Sequence, residues 1–129
     1  MNAITQILEA DERVAFALLF GSEARGSART GSDVDIAVGL RPGAALDRHA
    51  LGGLVARLEA ATGRDVQVID VGTAPAPLSY RIFRDGVLLF ERDHAALVEA
   101  KTAAILEYLD FQPVEAQCAR GVLQVAGHG

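Results

Sequence analysis

Val14-Ala15-Phe16-Ala17-Leu18-Leu19-Phe20-Gly21-Ser22, followed after ten residues by Asp33-Val34-Asp35-Ile36, decides how this chain folds. The unbroken apolar run reads as a strand buried on both faces, and it stops at Gly21. A second strand runs from Val34 to Val38. Side chains alternate along a strand, so Asp33 and Asp35 point to one face while Val34 and Ile36 turn into the core.

The flanking segments extend this frame. Ile4, Ile7 and Leu8 have helical spacing, and Asp11 ends that short helix. Glu23 to Arg29 reads as a helical turn and Thr30-Gly31-Ser32 as a bend. Leu51, Leu54, Val55, Leu58 and Ala61 mark an amphipathic helix from about Leu46 to Thr62, closed by Gly63. Asp65 to Val71 alternates as a third strand. Gly72 to Pro77 reads as loop, Leu78 to Arg84 as a short helix, Asp85-Gly86 as a tight turn, and Val87 to Phe90 as a fourth strand. Asp93 is a good N-cap for a long helix with the stripe Leu97, Ala100, Ala104, Ile105 and Tyr108. Pro113 is expected to stop it, with a last helix over Val114 to Val125. The predicted class is α/β (α+β): a mixed sheet of about four strands, helices on one face and C-terminal helices, not a doubly wound dinucleotide fold.

A chain of 129 residues, 50% hydrophobic, is expected to form one domain over 1–129 with a real core. The net charge of −5 argues against unaided binding of RNA or DNA, although Arg25 and Arg29 sit near the acidic pair. Cys118 is the only cysteine, so no internal disulfide forms and a reducing compartment fits. No signal peptide is legible at the start, and the Val14–Phe20 run is too short to span a bilayer. The expectation is a soluble cytoplasmic protein. His49, His94 and His128 show no metal-ligand spacing with Cys118. Tyr80 and Tyr108 read as core or interface packing.

The acidic pair and the glycine bend suit nucleotidyl transfer. That reaction needs charge neutralised on a triphosphate, an in-line nucleophile and a stabilised leaving pyrophosphate, and two divalent ions can serve all three needs. Mg²⁺ takes hard oxygen ligands, which Asp33 and Asp35 supply. Gly21 lets the backbone approach a phosphate without a Cβ in the way. Ser22 can donate its hydroxyl and N–H to the phosphates, and Arg25 would add positive charge. Ser32 is a further candidate contact to the nucleotide, or a cap for its own turn. A third carboxylate on a neighbouring strand would complete such a site and help deprotonate the attacking hydroxyl.

Gly21-Ser22-Glu23-Ala24-Arg25-Gly26 with Ser32-Asp33-Val34-Asp35-Ile36 resembles the signature of the DNA polymerase beta-like nucleotidyltransferase superfamily, and the short length points to its minimal members. Asp85-Gly86-Val87-Leu88-Leu89-Phe90-Glu91-Arg92-Asp93 and Tyr108-Leu109-Asp110-Phe111 resemble the MntA-type antitoxins of HEPN/MNT toxin–antitoxin pairs. The likeness runs from about residue 14 to 123. It implies an enzyme that uses ATP and Mg²⁺ to place AMP on a tyrosine of a partner HEPN ribonuclease, silencing it within a hetero-oligomer. By position, Asp33 and Asp35 would bind the metal ions, and Gly21 and Ser22 would hold the triphosphate.

One segment departs from the pattern. The family's third strand often reads Val-Asp-Leu-Val-Asp-Leu; here it is Val66-Gln67-Val68-Ile69-Asp70-Val71. Gln67 cannot act as a base. Asp70 is retained, Asp65 shares the parity of Gln67, and both stay open as the third carboxylate. Two alternatives to a partner-modifying enzyme stay open, the first of them motivated by Gln67. One is an antitoxin that neutralises by binding alone; the other is a nucleotidyltransferase acting on a small hydroxylated molecule.

Overall fold

The computed structural model describes residues 2–21 and 33–124, with side chains described within 3–21 and 33–110. The chain order is α1 (Asn2–Ala10), β1 (Val14–Phe20), β2 (Val34–Leu40), α2 (Arg48–Thr62), β3 (Val66–Asp70), α3 (Ala76–Asp85), β4 (Val87–Glu91) and α4 (His94–Gln124). The strands form one four-stranded sheet in the order β3-β2-β1-β4. β1 pairs antiparallel with both β2 and β4, and β2 pairs parallel with β3, so the sheet is mixed.

Helices cover both faces of this sheet, not the one face expected from the sequence. Val14, Ala17, Leu19, Ile36, Val38 and Val68 pack with Leu8 of α1 and Leu54 and Leu58 of α2. On the other side, Phe16, Leu18 and Ala37 pack with Ile82 of α3 and Leu97 and Ala100 of α4. That double cover is why β1 has no polar residue: six of its seven positions are buried. Leu54 and Leu58 are fully buried, each contributing about 1.5–3 kcal/mol by leaving water.

Helix ends follow local chemistry. Asp47 caps α2 by accepting from Ala50 N–H at 2.7 Å, and Gly63 closes it in the left-handed region at φ 68°. Asp93 accepts from Ala96 N–H at 3.1 Å at the start of α4. Pro77 lies inside the first turn of α3 instead of the preceding loop, because a residue there has no intrahelical donor to lose. Asp85 is the last residue of that helix, and Gly86 N–H closes it on the Ile82 carbonyl at 2.7 Å. Pro113 does not divide the C-terminal segment: α4 is one helix of 31 residues. A proline removes its own backbone donor and crowds the carbonyl four residues back, a local cost that the hydrogen bonds on either side carry the helix past.

Arg92, just past β4, donates to the Val14 carbonyl at 3.1 Å and to the Glu9 carbonyl, tying the edge strand to α1 and β1. Among the described residues no helix is long and apolar enough to cross a membrane.

Candidate active site

The antiparallel register of β1 and β2 places Phe20 opposite Asp35, so the bend at Gly21 lies beside that carboxylate. Gly21 has φ 77°, a region that side chains with a Cβ rarely adopt. A Cβ on it would stand 2.5 Å from Asp35 Oδ2. Glycine is therefore required twice, for the turn and for the approach of the carboxylate.

Asp33 immediately precedes β2 and is exposed; Asp35 is half-buried on the strand. Burial pushes the Asp35 carboxyl above the usual carboxylate range, and the negative charge of Asp33 pushes it further. Among the described residues neither carboxylate has a salt-bridge partner. Two crowded carboxylates form a hard-oxygen donor set that a divalent cation would satisfy. The residues present thus fit a Mg²⁺ ion bound by Asp33 and Asp35.

The parallel register of β2 and β3 sets Gln67 beside Asp35, and Gln67 is exposed. Asp70 pairs with Val38 instead, three residues further on, roughly 10 Å along the strand. Its Oδ1 accepts from Gly72 N–H at 2.8 Å, holding the turn into α3. Asp65 is nearer: its carbonyl accepts from Val34 N–H at 2.9 Å, which puts it level with Asp33, and its side chain is exposed. Among the described residues no cluster of three acidic, His or Cys side chains could hold a metal ion. The structure brings together Gly21, Asp33 and Asp35. It does not bring Asp70 to them. Ser22, Arg25 and Ser32 lie outside the described residues.

α3 reads in the sequence as a plain short helix, yet it borders the glycine bend. Leu78, Arg81, Ile82 and Asp85 line a cleft of about 220 Å³ with Phe20 and Gly21. The i, i+3, i+4, i+7 spacing of those four residues was the signal available. Ser79 holds the helix to the sheet through Oγ–H donation to the Val71 carbonyl at 3.0 Å, fully inside the protein. Tyr80 stacks on Tyr108 of α4, ring centroids 4.0 Å apart and 7° from parallel, so this tyrosine pair joins the two helices.

The family model described as Polymerase beta, Nucleotidyltransferase matches residues 2–95, a span that holds Gly21, both aspartates and all four strands. The chain belongs to this nucleotidyltransferase family. The comparison with curated proteins returns no match. Several solved structures share the fold of this nucleotidyltransferase. A toxin–antitoxin crystallised with AMP-PNP is 25% identical, with TM-score 0.81, over 95% of this chain and 97% of that one. A substituted MntA–HpeT toxin–antitoxin is 25% identical, with TM-score 0.79, over 95% and 96%. The Shewanella oneidensis complex of a tri-AMPylated HEPN toxin with its MNT antitoxin is 24% identical, with TM-score 0.75, over 95% and 94%, a likeness of fold.

Proposed function

We propose that this protein is a Mg²⁺-dependent adenylyltransferase that moves AMP from ATP to a hydroxyl, a tyrosine of a cognate HEPN-type ribonuclease toxin, and so acts as its antitoxin in the cytoplasm. The observation that carries this reading is the pair Asp33 and Asp35, crowded on one sheet face with the Asp35 carboxylate resting against Gly21. The bound AMP-PNP in one similar toxin–antitoxin, and the AMPylated toxin in another, support ATP as substrate and the toxin as acceptor.

In the reaction the acceptor oxygen bonds to the α-phosphorus of ATP, the bond to pyrophosphate breaks, and the hydroxyl proton passes to solvent. Divalent ions, when bound, neutralise the phosphates and stabilise the leaving pyrophosphate. Asp33 and Asp35 would hold those ions on one side of the sheet. Gly21 keeps the bend open for a phosphate, and the proposed Ser22 and Arg25 would add donors and positive charge. Asp65, level with Asp33, remains the acid best placed to assist, while Gln67 occupies the position beside Asp35.

The test is to incubate the chain with α-labelled ATP, Mg²⁺ and the product of the adjacent gene. Label on a tyrosine of that product, lost with Asp33→Asn, is expected. No transfer by wild type, or equal transfer by Asp33→Asn, refutes the proposal. Gln67 favours a second reading, an antitoxin acting by docking alone; toxin neutralisation that survives Asp35→Ala undiminished would select it.

A further inference from the structure

A cleft lies between the end of β1 and α3. It is bordered by Phe20 and by Gly21, the residue against which Asp35 rests, so it opens directly beside the proposed phosphate and metal site. Its volume of about 220 Å³ is below the roughly 300–1,000 Å³ of pockets that enclose a whole ligand. It therefore suits one part of a nucleotide.

Its chemistry says which part. Phe20, Leu78 and Ile82 are apolar walls, unsuited to a hydrated triphosphate. Asp85 also lines the cleft, its carboxylate ion-paired with Arg84 at 2.9 Å. Arg81 lines the cleft from the same helix as Leu78 and Ile82, is exposed, and has no ion-pair partner among the described residues. A planar guanidinium over an apolar slot grips a flat aromatic ring by stacking.

Resting on the ATP reading above, we propose that this cleft is the nucleoside subsite: the base lies between the apolar walls, and Arg81 stacks on it as a positioning residue. The phosphates then extend past Gly21 towards Asp33 and Asp35. α3 is a rigid platform for this task, since Ser79 and the stacked tyrosines fix it to the sheet and to α4.

Calorimetric titration of the full chain in Mg²⁺ with ATP, and separately with inorganic triphosphate, tests the assignment. Arg81→Ala is expected to weaken ATP about tenfold and to leave triphosphate unchanged, the size of a partly desolvated cation–π contact. Arg81→Lys should recover only part of the loss, because an ammonium keeps the charge but lacks the stacking plane. Equal weakening of both ligands, full restoration by lysine, or no change in ATP binding each overturns the subsite while leaving the ATP reading intact. Wild-type chain that binds neither ligand refutes the ATP reading itself.

Discussion

Replacing Gly21 by alanine separates backbone strain from the placement of Asp35. The left-handed conformation at φ 77° costs a residue with a Cβ about 1–2 kcal/mol. For a chain of this size that lowers Tm by about 4–8 °C. The new Cβ would also stand 2.5 Å from Asp35 Oδ2, against 3.4 Å from its Cγ. Turning the carboxylate relieves this contact with little loss of stability but moves the oxygen from its place. A displacement of about 1 Å at a reacting centre can cost about 10²-fold in rate. Gly63→Ala is the matched control. Gly63 has φ 68° and nothing within 4 Å of a new Cβ, so the variant carries the same strain without touching the site. Thermal unfolding and AMP transfer on both variants should give similar Tm losses and an activity loss confined to Gly21→Ala. Equal activities, or an activity loss at Gly63 as large as that at Gly21, would refute the reasoning.

Further outcomes follow from other positions. Gly39→Ala puts a Cβ 2.0 Å from Cζ of the buried Phe16 ring, so it should destabilise by about 1–3 kcal/mol in denaturant unfolding. Asp11 accepts from Arg13 at 2.9 and 2.7 Å, and these bonds hold its carboxyl below the usual range of 3.8. A lowered folded-state value stabilises above the unfolded pKa and is lost as pH falls through the folded one. Asp11→Asn should thus cost about 1 kcal/mol at pH 7, the discount reflecting the half-exposed Arg13, and the difference should vanish in acid. Gln67→Asp places a carboxylate in register with Asp35, and it should raise the transfer rate about tenfold or more at limiting Mg²⁺. A rate that stays level or falls would show that this position is not the missing third ligand.

Much of the frame was legible because the strands carry strong local signals. The Val14–Phe20 run announced burial on both faces, and Asp33-Val34-Asp35 fixed which face of β2 is polar. Yet that same run contained the answer to the helix arrangement. A strand with no polar face needs cover on both sides, which the one-faced sheet did not provide. Pro113 differs: the local penalty of a proline is legible in the sequence, whereas the continuity of the hydrogen bonds on either side that carry α4 past it is not. At the candidate site, spacing pointed to Gly21, Asp33 and Asp35, which the fold does bring together, but which acid of the next strand lies near them depends on the register of β3 against β2. Register is a tertiary property, and only the pairing of Asp35 with Gln67 and of Val38 with Asp70 separated the candidates. Arg81 was hidden likewise, since an arginine on an amphipathic helix reads as solvated until a cleft is found beneath it.

Manganese resonance offers the most direct test of the central claim, that Asp33 and Asp35 together hold a divalent ion against ATP beside Gly21. Mn²⁺ substitutes for Mg²⁺, and its free signal disappears when it is bound. Adding wild-type chain to Mn²⁺ with a non-hydrolysable ATP analogue should quench the signal beyond the analogue alone, and Asp35→Asn should abolish that extra loss. Equal quenching by the two proteins, or none by wild type, would contradict the account.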